Sequence, residues 1–203
     1  MGLHTEQLDE LRVLVLLEDS ASFDSNLLAQ HGISLFVEAR WRGHLKRIIV
    51  DVGPDPSTLQ HNMEALNIDP CSIDIVVLTH CHYDHTSGVS SLVARTGRKD
   101  LLVIGHPELF RPNFTTSPCL KYVGMRTSDA PDRISAAGAR LLLSKDPLQI
   151  APGLCTTGQV PRVTPFEDTG MSFFTLVDGK VTQDSMLDDM ALVANVKGRG
   201  IVI

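Results

Sequence analysis

The sequence predicts a mixed α/β (α+β) fold in a single domain spanning residues 1–203. Short apolar runs rich in Val, Ile and Leu are typical of buried strands, and the stretches between several of them have helical period. Apolar residues make up 43% and charged residues 21% of the chain, which is typical of a globular protein. A chain of 203 residues is also long enough to bury one sizeable core.

The first half alternates strands and helices after an initial pair of strands. A tight RWRGH sequence predicts a hairpin with Gly43 in its turn. Leu59, Met63 and Leu66 are at helical spacing, with Ser57 as the expected N-cap after Pro56. The predicted strands are 11–18, 33–39, 45–53, 73–80 and 100–106, and the predicted helices are 57–68 and 88–97.

The second half begins with a change of character. Residues 107–135 contain four prolines and no clean period, which predicts a long functional loop or lid without regular structure. Turn clusters then separate four short apolar runs, which predict strands at 139–144, 154–160, 171–177 and 190–196.

Composition excludes some classes of function. The chain has 18 basic and 24 acidic residues, and its net charge of −6 argues against a nucleic-acid partner. No stretch has the pattern of a signal peptide or a membrane span, and no two of the four cysteines are in C-x-x-C spacing. These features predict a cytoplasmic protein that acts on a small molecule and has no membrane partner, and no residue indicates an oligomeric state.

Four potential metal ligands follow the strand at 73–80 in the sequence THCHYDH. In an extended backbone His80 and His82 point the same way, so both can approach one ion while Cys81 points away. Asp84 and His85 follow where the chain turns towards the next helix. Imidazole nitrogen and carboxylate oxygen suit zinc, and also iron or manganese, so the motif predicts a site for one or two ions.

THCHYDHTSG resembles the H-x-H-x-D-H signature of the metallo-β-lactamase superfamily, and IIVDVGP resembles the strand ending in Asp-x-Gly that precedes it. HGISLFVEA, TTGQVPR and DDMALVANVKGRGIVI resemble the dihydropterin-aminobenzene-phosphate synthase-like branch of that superfamily. The resemblance extends over essentially the whole chain. It implies an αββα four-layer sandwich with the site at one edge.

The resemblance implies that His80 and His82 bind a first metal, that Asp84 and His85 bind a second, and that Asp84 also orients or shuttles a proton. Asp51 would hold a ligand histidine through its free ring nitrogen. Alternatively, Asp51 simply caps the VGPDP turn at the end of its strand.

The second half departs from the family pattern. His106 is the only histidine after His85, and the chain stops at Ile203, before the Gly-Cys-Ser-His segment usual in this branch, so we expect a C-terminally truncated version with an incomplete second half. Asp189, with its neighbour Asp188, is a candidate for a late ligand, although paired carboxylates before a strand are more often a solvated acidic turn. Arg162 is a candidate for binding an anionic substrate, or an ordinary loop arginine.

The sequence favours a metal-dependent hydrolase, in which hydroxide activated by the metal attacks an ester, amide or phosphoester. It contains no G-x-S-x-G elbow, P-loop or Rossmann glycine motif that would offer a competing chemistry. One alternative is a pterin-related synthase or lyase, for which basic residues such as Arg111, Lys121, Arg126 or Arg162 would have to converge on a phosphate. Another is a truncated, non-catalytic domain that binds metal weakly.

Overall fold

The computed structural model describes residues 6–164 and 173–203 of the chain. Its strands are β1 (Glu10–Leu17), β2 (Ser34–Trp41), β3 (His44–Val50), β4 (Ile75–Val77), β5 (Leu101–Gly105), β6 (Phe114–Thr115), β7 (Lys121–Tyr122), β8 (Ala139–Leu143), β9 (Gln149–Ala151), β10 (Leu154–Thr156), β11 (Phe173–Val177), β12 (Lys180–Gln183), β13 (Leu192–Val196) and β14 (Gly200–Val202). Its α-helices are α1 (Pro56–Ala65), α2 (Tyr83–Thr86), α3 (Val89–Thr96) and α4 (Pro131–Ala136). Single 3-10 turns cover Pro70–Ser72, Pro107–Phe110 and Thr127–Asp129.

A six-stranded sheet in the order β1-β2-β3-β4-β5-β8 forms the centre of the fold. Its first three strands are antiparallel, and β3, β4, β5 and β8 run parallel to one another. A second sheet has the order β14-β13-β10-β9, and a third has the order β12-β11-β6-β7. The carboxyl ends of β3, β4 and β5 therefore meet at one edge of the central sheet, where the chemistry of such sheets is usually found.

Apolar side chains point alternately to the two faces of the central sheet and form a separate core on each face. On β4, Val76 belongs to the core shared with helices α1, α3 and α4. Its neighbours Ile75 and Val77 belong to a second core, shared with Leu154 and Ala194 of the second sheet. This period of two gives the chain three layers, helix, sheet and sheet. No described residue after Ala139 is helical, so the second sheet has no outer helical layer within the described part of the chain.

The hairpin and most of the predicted strands are present, with ends that differ by a few residues. Arg42 and Gly43 both have positive φ, as the two central residues of a type I′ turn require. The strand predicted at 73–80 is only three residues long, because the chain leaves the sheet after Val77 and turns into the H-x-H-x-D-H motif. Of the strand predicted at 171–177, residues 171 and 172 lie outside the described residues.

Two local predictions were wrong. Asp55, not Ser57, caps α1, accepting the backbone N–H of Ser57 at 2.7 Å, and Pro56 is the first helical residue. The segment 107–135 is not devoid of regular structure, since it contains α4, two short strands and two 3-10 turns. Each of these elements is too short to show a hydrophobic period in the sequence.

None of the helices in the described ranges is both long and apolar enough to cross a membrane.

Candidate metal centre

Asp51 connects the ends of β3 and β4 to the histidine motif. Its carboxylate is 1% exposed, and its φ of 56° places the backbone in the left-handed region that aspartate tolerates better than most residues. Oδ1 accepts the backbone N–H of Thr79 at 2.8 Å, and Oδ2 accepts the Thr79 hydroxyl at 2.7 Å. Oδ2 is also 2.7 Å from Nδ1 of His85. The side chain therefore contacts a motif histidine in addition to ordering the turn.

A protein acceptor faces one nitrogen of each motif histidine. Nδ1 of His85 faces Asp51, and Nδ1 of His80 is 2.9 Å from the Thr79 hydroxyl. Because that hydroxyl donates its own hydrogen to Asp51, its oxygen is left to accept a hydrogen bond from the Nδ1–H of His80. Nε2 of His82 is 3.2 Å from Oδ1 of Asn113. In the neutral rings this arrangement assigns the proton to Nδ1 of His80 and His85 and to Nε2 of His82.

The other nitrogen of each neutral ring carries a lone pair, and the three rings lie close together. The centroid of the His80 ring lies 4.8 Å from that of His82 and 4.0 Å from that of His85. Burial, reinforced by the neighbouring rings, lowers the pKa of His80 to about 2, so this ring is neutral at physiological pH. Burial also lowers the pKa of His82. At His85 burial acts in the same direction, but the hydrogen bond and charge of Asp51 outweigh it, so the pKa is raised.

A second set of buried polar groups supports the other side of the cluster. Arg111 is almost fully buried, and its Nε donates to Asp184 while its Nη1 donates to Asp188, both at 2.7 Å. Asp184 also accepts the side-chain amide of Asn113, the residue that faces His82. Burial opposes the charge on Arg111, but its two carboxylate partners outweigh burial and raise the pKa. Arg111 is therefore a structural cation, not the substrate-binding residue considered from the sequence.

Asp188 is the carboxylate of the acidic pair that enters this network. It is 0% exposed, and its Oδ2 accepts the backbone N–H of Cys81 at 2.6 Å. Its Oδ1 is buried and has no hydrogen-bond partner among the described residues. A buried carboxylate oxygen without a hydrogen bond lowers the stability of the folded protein by about 1–3 kcal/mol or more. A ligand that contacts this oxygen would offset that loss.

Asp189 and Arg162 lie at the rim and contact each other. Nη2 of Arg162 donates to Oδ2 of Asp189 at 3.0 Å, and the Asp189 side chain is 44% exposed. The charge of Asp189 contributes to raising the pKa of His85, so this carboxylate lies within electrostatic reach of the cluster. Because Arg162 pairs with Asp189, part of its guanidinium is not available to an anionic substrate, the ligand for which Arg162 was a candidate.

Asp84 and His31 contact each other on the solvent-facing side of the histidine cluster. Oδ2 of Asp84 lies 3.7 Å from Nε2 of His85 and 3.4 Å from Nε2 of His31, and Nδ1 of His31 lies 3.0 Å from Asp19. His31 comes from the segment between β1 and β2, which packs so closely that the Cβ of an alanine at Gly32 would lie 2.1 Å from the Asp84 carbonyl oxygen. Sequence reasoning did not select His31.

Several site residues were not found from the sequence. Thr79 and Asn113 are single polar residues outside any periodic pattern, so nothing marks them. The sequence could have distinguished Asp188 from Asp189 if the inward–outward alternation of side chains on β13 had been extended towards the amino terminus. The buried residues Ala194 and Met190 share the even phase with Asp188, which places Asp188 inward. His106, which as a lone histidine is more often a surface or loop residue, is in fact fully buried, and its Nδ1 accepts the backbone N–H of Glu108.

The donor chemistry fits a borderline metal ion, although the donors are not gathered into a closed shell. Over residues 6–164 and 173–203, no three His, Cys, Asp or Glu side chains form a group that could hold a metal ion. The fit is carried by three clustered imidazoles that each have one nitrogen facing a protein acceptor, by the orphaned oxygen of Asp188, and by Asp84.

Comparison with known proteins identifies the same region. The family model described as "Metallo-beta-lactamase superfamily" matches residues 34–117. The 7,8-dihydropterin-6-methyl-4-(β-D-ribofuranosyl)-aminobenzene-5′-phosphate synthase of Methanocaldococcus jannaschii is 30% identical over 206 residues, covering 100% of this chain and 69% of the relative.

Solved structures bear out the fold class. A metal-dependent hydrolase of the β-lactamase superfamily superposes with a TM-score of 0.67 at 20% identity, covering 95% of this chain and 64% of the other. An N-acyl homoserine lactone hydrolase superposes with a TM-score of 0.53 at 11% identity, covering 96% of this chain and 74% of the other. The expected mixed α/β fold is confirmed, with three of the four expected layers present in the described residues, and this chain spans a little under two thirds of the first of these structures.

We expect Asp51→Asn to destabilise the protein by about 3 kcal/mol, because an amide cannot accept from all three buried donors that face the carboxylate. Urea unfolding measures the change. Asp189→Asn is the matched control, and its partly exposed carboxylate predicts a change within about 0.5 kcal/mol. Equal effects of the two substitutions would contradict the role given to Asp51.

We expect Gly32→Ala to cost about 3 kcal/mol or more, because the added Cβ collides with the Asp84 carbonyl oxygen at a φ of 118°. Gly43→Ala also has a positive φ, of 80°, but its Cβ would meet nothing within 4 Å, so backbone strain alone predicts about 1 kcal/mol. The difference between the two free energies of unfolding reports the contact between the His31 segment and Asp84. A difference near zero would show that this contact is not maintained in solution.

Proposed function

The chain belongs to the metallo-β-lactamase superfamily, and from that premise we propose that it is a metal-dependent hydrolase acting on an ester, amide or phosphoester bond of a small molecule. The observation that carries the proposal is the common arrangement of the three motif histidines. One nitrogen of each ring faces a protein acceptor, and the centroids of the His82 and His85 rings lie 4.8 Å and 4.0 Å from that of the His80 ring. Such fixed tautomers are characteristic of imidazoles that bind metal.

His80, His82 and His85 would hold the metal together with Asp84 and, through its orphaned oxygen, Asp188. These nitrogen and oxygen donors suit one or two zinc ions, with iron or manganese as alternatives. When bound, the metal supplies Lewis acidity and lowers the pKa of water towards neutrality. Asp188 in this role replaces Asp189, whose carboxylate is committed to Arg162 at the rim.

Asp84 is the group best placed to take a proton. Its side chain is 14% exposed, and its Oδ2 lies between the imidazoles of His85 and His31. A carboxylate in this position can accept a proton from an attacking water and pass it to an imidazole on the solvent side. The phenyl ring of Phe173 contacts the His82 ring, with 4.6 Å between the two centroids.

The pterin-related synthase reaction is the second candidate. It is favoured by the relative from Methanocaldococcus jannaschii, whose similarity extends over the whole of this chain. The name of that relative describes a synthase, not a hydrolase, and a shared fold does not determine which of the two reactions this chain catalyses. Stabilisation of the protein by a pterin, measured by thermal unfolding, would favour this candidate.

We expect the purified protein to retain at least one zinc ion per chain and to hydrolyse nitrophenyl esters or bis(nitrophenyl) phosphate in a metal-dependent way. His82→Ala and Asp188→Asn should each weaken zinc binding by about 100-fold or more and remove the activity. Plasma mass spectrometry after gel filtration measures the metal, and initial rates measure the hydrolysis.

His44→Ala is the matched control, because His44 begins β3 at the end of the strand remote from Asp51. It should retain both metal and activity. Metal content that is the same in His82→Ala as in the unaltered protein would refute the metal centre. Metal without hydrolysis would leave the centre intact and favour the synthase.

A further inference from the structure

We infer that Tyr83, Lys121 and Arg126 form a subsite for the phosphate group of a phosphomonoester substrate. Nζ of Lys121 lies 4.7 Å from the centroid of the Tyr83 ring, and the guanidinium carbon of Arg126 lies 5.6 Å from the same centroid. Two cations therefore share one aromatic ring. The inference rests on the proposed function, since it names the substrate class of the same site.

The subsite adjoins the metal centre through the backbone. Tyr83 lies between His82 and Asp84 in the sequence, and its N–H donates to the carbonyl of Val123 at 2.9 Å. The N–H of Val123 in turn donates to the carbonyl of Asn113, whose side chain faces His82. The segment that orders a motif histidine thus also carries Lys121 and Arg126.

Neither cation has a carboxylate partner in the described part of the chain. Residues 6–164 and 173–203 contain no acidic oxygen within 4.0 Å of Lys121 or Arg126, whereas Arg111 and Arg162 are both ion-paired. The hydrogen bonds from Ser57 are the larger cause of the lowered pKa of Asp55, and the charge of Arg126 contributes less. Oδ1 of Asp55 is already engaged in capping α1. A dianion bound beside this ring would meet two positive charges that no carboxylate of the described residues neutralises.

The donors match a phosphate better than a carboxylate. Lys121 donates to the Tyr83 hydroxyl oxygen at 3.2 Å, which leaves the phenolic proton free to donate outward. The guanidinium of Arg126 presents a fork for two oxygens, and the ammonium of Lys121 has further donors. Lys121 and Arg126 are exposed, so a ligand in solution can reach them. The net charge of −6 disfavours a nucleic-acid polymer as the source of the phosphate.

Calorimetric titration with phenyl phosphate tests the subsite. The 203-residue protein is titrated as purified and again after dialysis against a chelator, so that binding to a metal is separated from binding to the subsite. We expect Lys121→Gln/Arg126→Gln to bind phenyl phosphate at least tenfold more weakly in both preparations. Lys121→Arg should retain most of the affinity, which excludes a general structural effect.

Lys99→Gln/Arg140→Gln is the matched control. It removes the same charges from exposed residues at the amino-terminal ends of β5 and β8, remote from the motif edge, and should leave the affinity unchanged. Equal affinity of Lys121→Gln/Arg126→Gln and the unaltered protein would overturn the proposal, as would absence of binding after chelation. Loss of metal or of ester hydrolysis alone would count against the proposed function without affecting this result.

Discussion

The buried carboxylate of Asp51 is the constraint on which the rest of the site depends. It ends β3 with a positive φ, and it receives hydrogen bonds from two groups of Thr79 and from His85. Through these contacts one side chain determines where the chain leaves β4 and how two histidine rings are oriented. A buried carboxylate destabilises the folded protein unless both of its oxygens are hydrogen-bonded. The hydrogen bonds that satisfy Asp51 are the same ones that order the turn and the two rings.

The second half of the fold also contains buried carboxylates that order the motif, here together with a buried cation. Asp184 and Asp188 are both buried, and the guanidinium of Arg111 pairs with both. Asp184 orders His82 through Asn113, while Asp188 holds the backbone of Cys81 and retains one oxygen without a partner. The histidines are therefore fixed from both sides before any ligand binds, which is the preorganisation expected of a metal centre.

Local patterns in the sequence predicted the parts of the fold that have a period. The central strands are recognisable because β3, β4 and β5 are covered on both faces and read as continuous apolar runs. The six-residue helix α4 was missed because it completes fewer than two turns and begins at a proline within a proline-rich segment. Its first position suits proline, so the residue that suggested a loop in fact starts the helix.

The candidate site was predictable only where its residues are adjacent in sequence. His80, His82, Asp84 and His85 lie within six positions, but Asn113, Asp184 and Asp188 reach them from distant segments. Burial distinguishes Asp188 from Asp189 and Arg111 from Arg126, and burial is a property of tertiary packing that residue type does not reveal. His31 reaches Asp84 only because Gly32 lets its segment approach the motif backbone.

The central claim is that three acceptors fix the tautomers of the motif histidines, and nitrogen-15 NMR of the imidazole rings in metal-free protein at pH 8 tests it most directly. The structure predicts protonation at Nδ1 for His80 and His85 and at Nε2 for His82. His44 is exposed and its ring has no hydrogen bond among the described residues, so it makes a matched internal comparison whose ring should show no comparable restriction to one tautomer. Protonation of His82 at Nδ1, or averaging of the two tautomers in all three motif rings, would contradict the account.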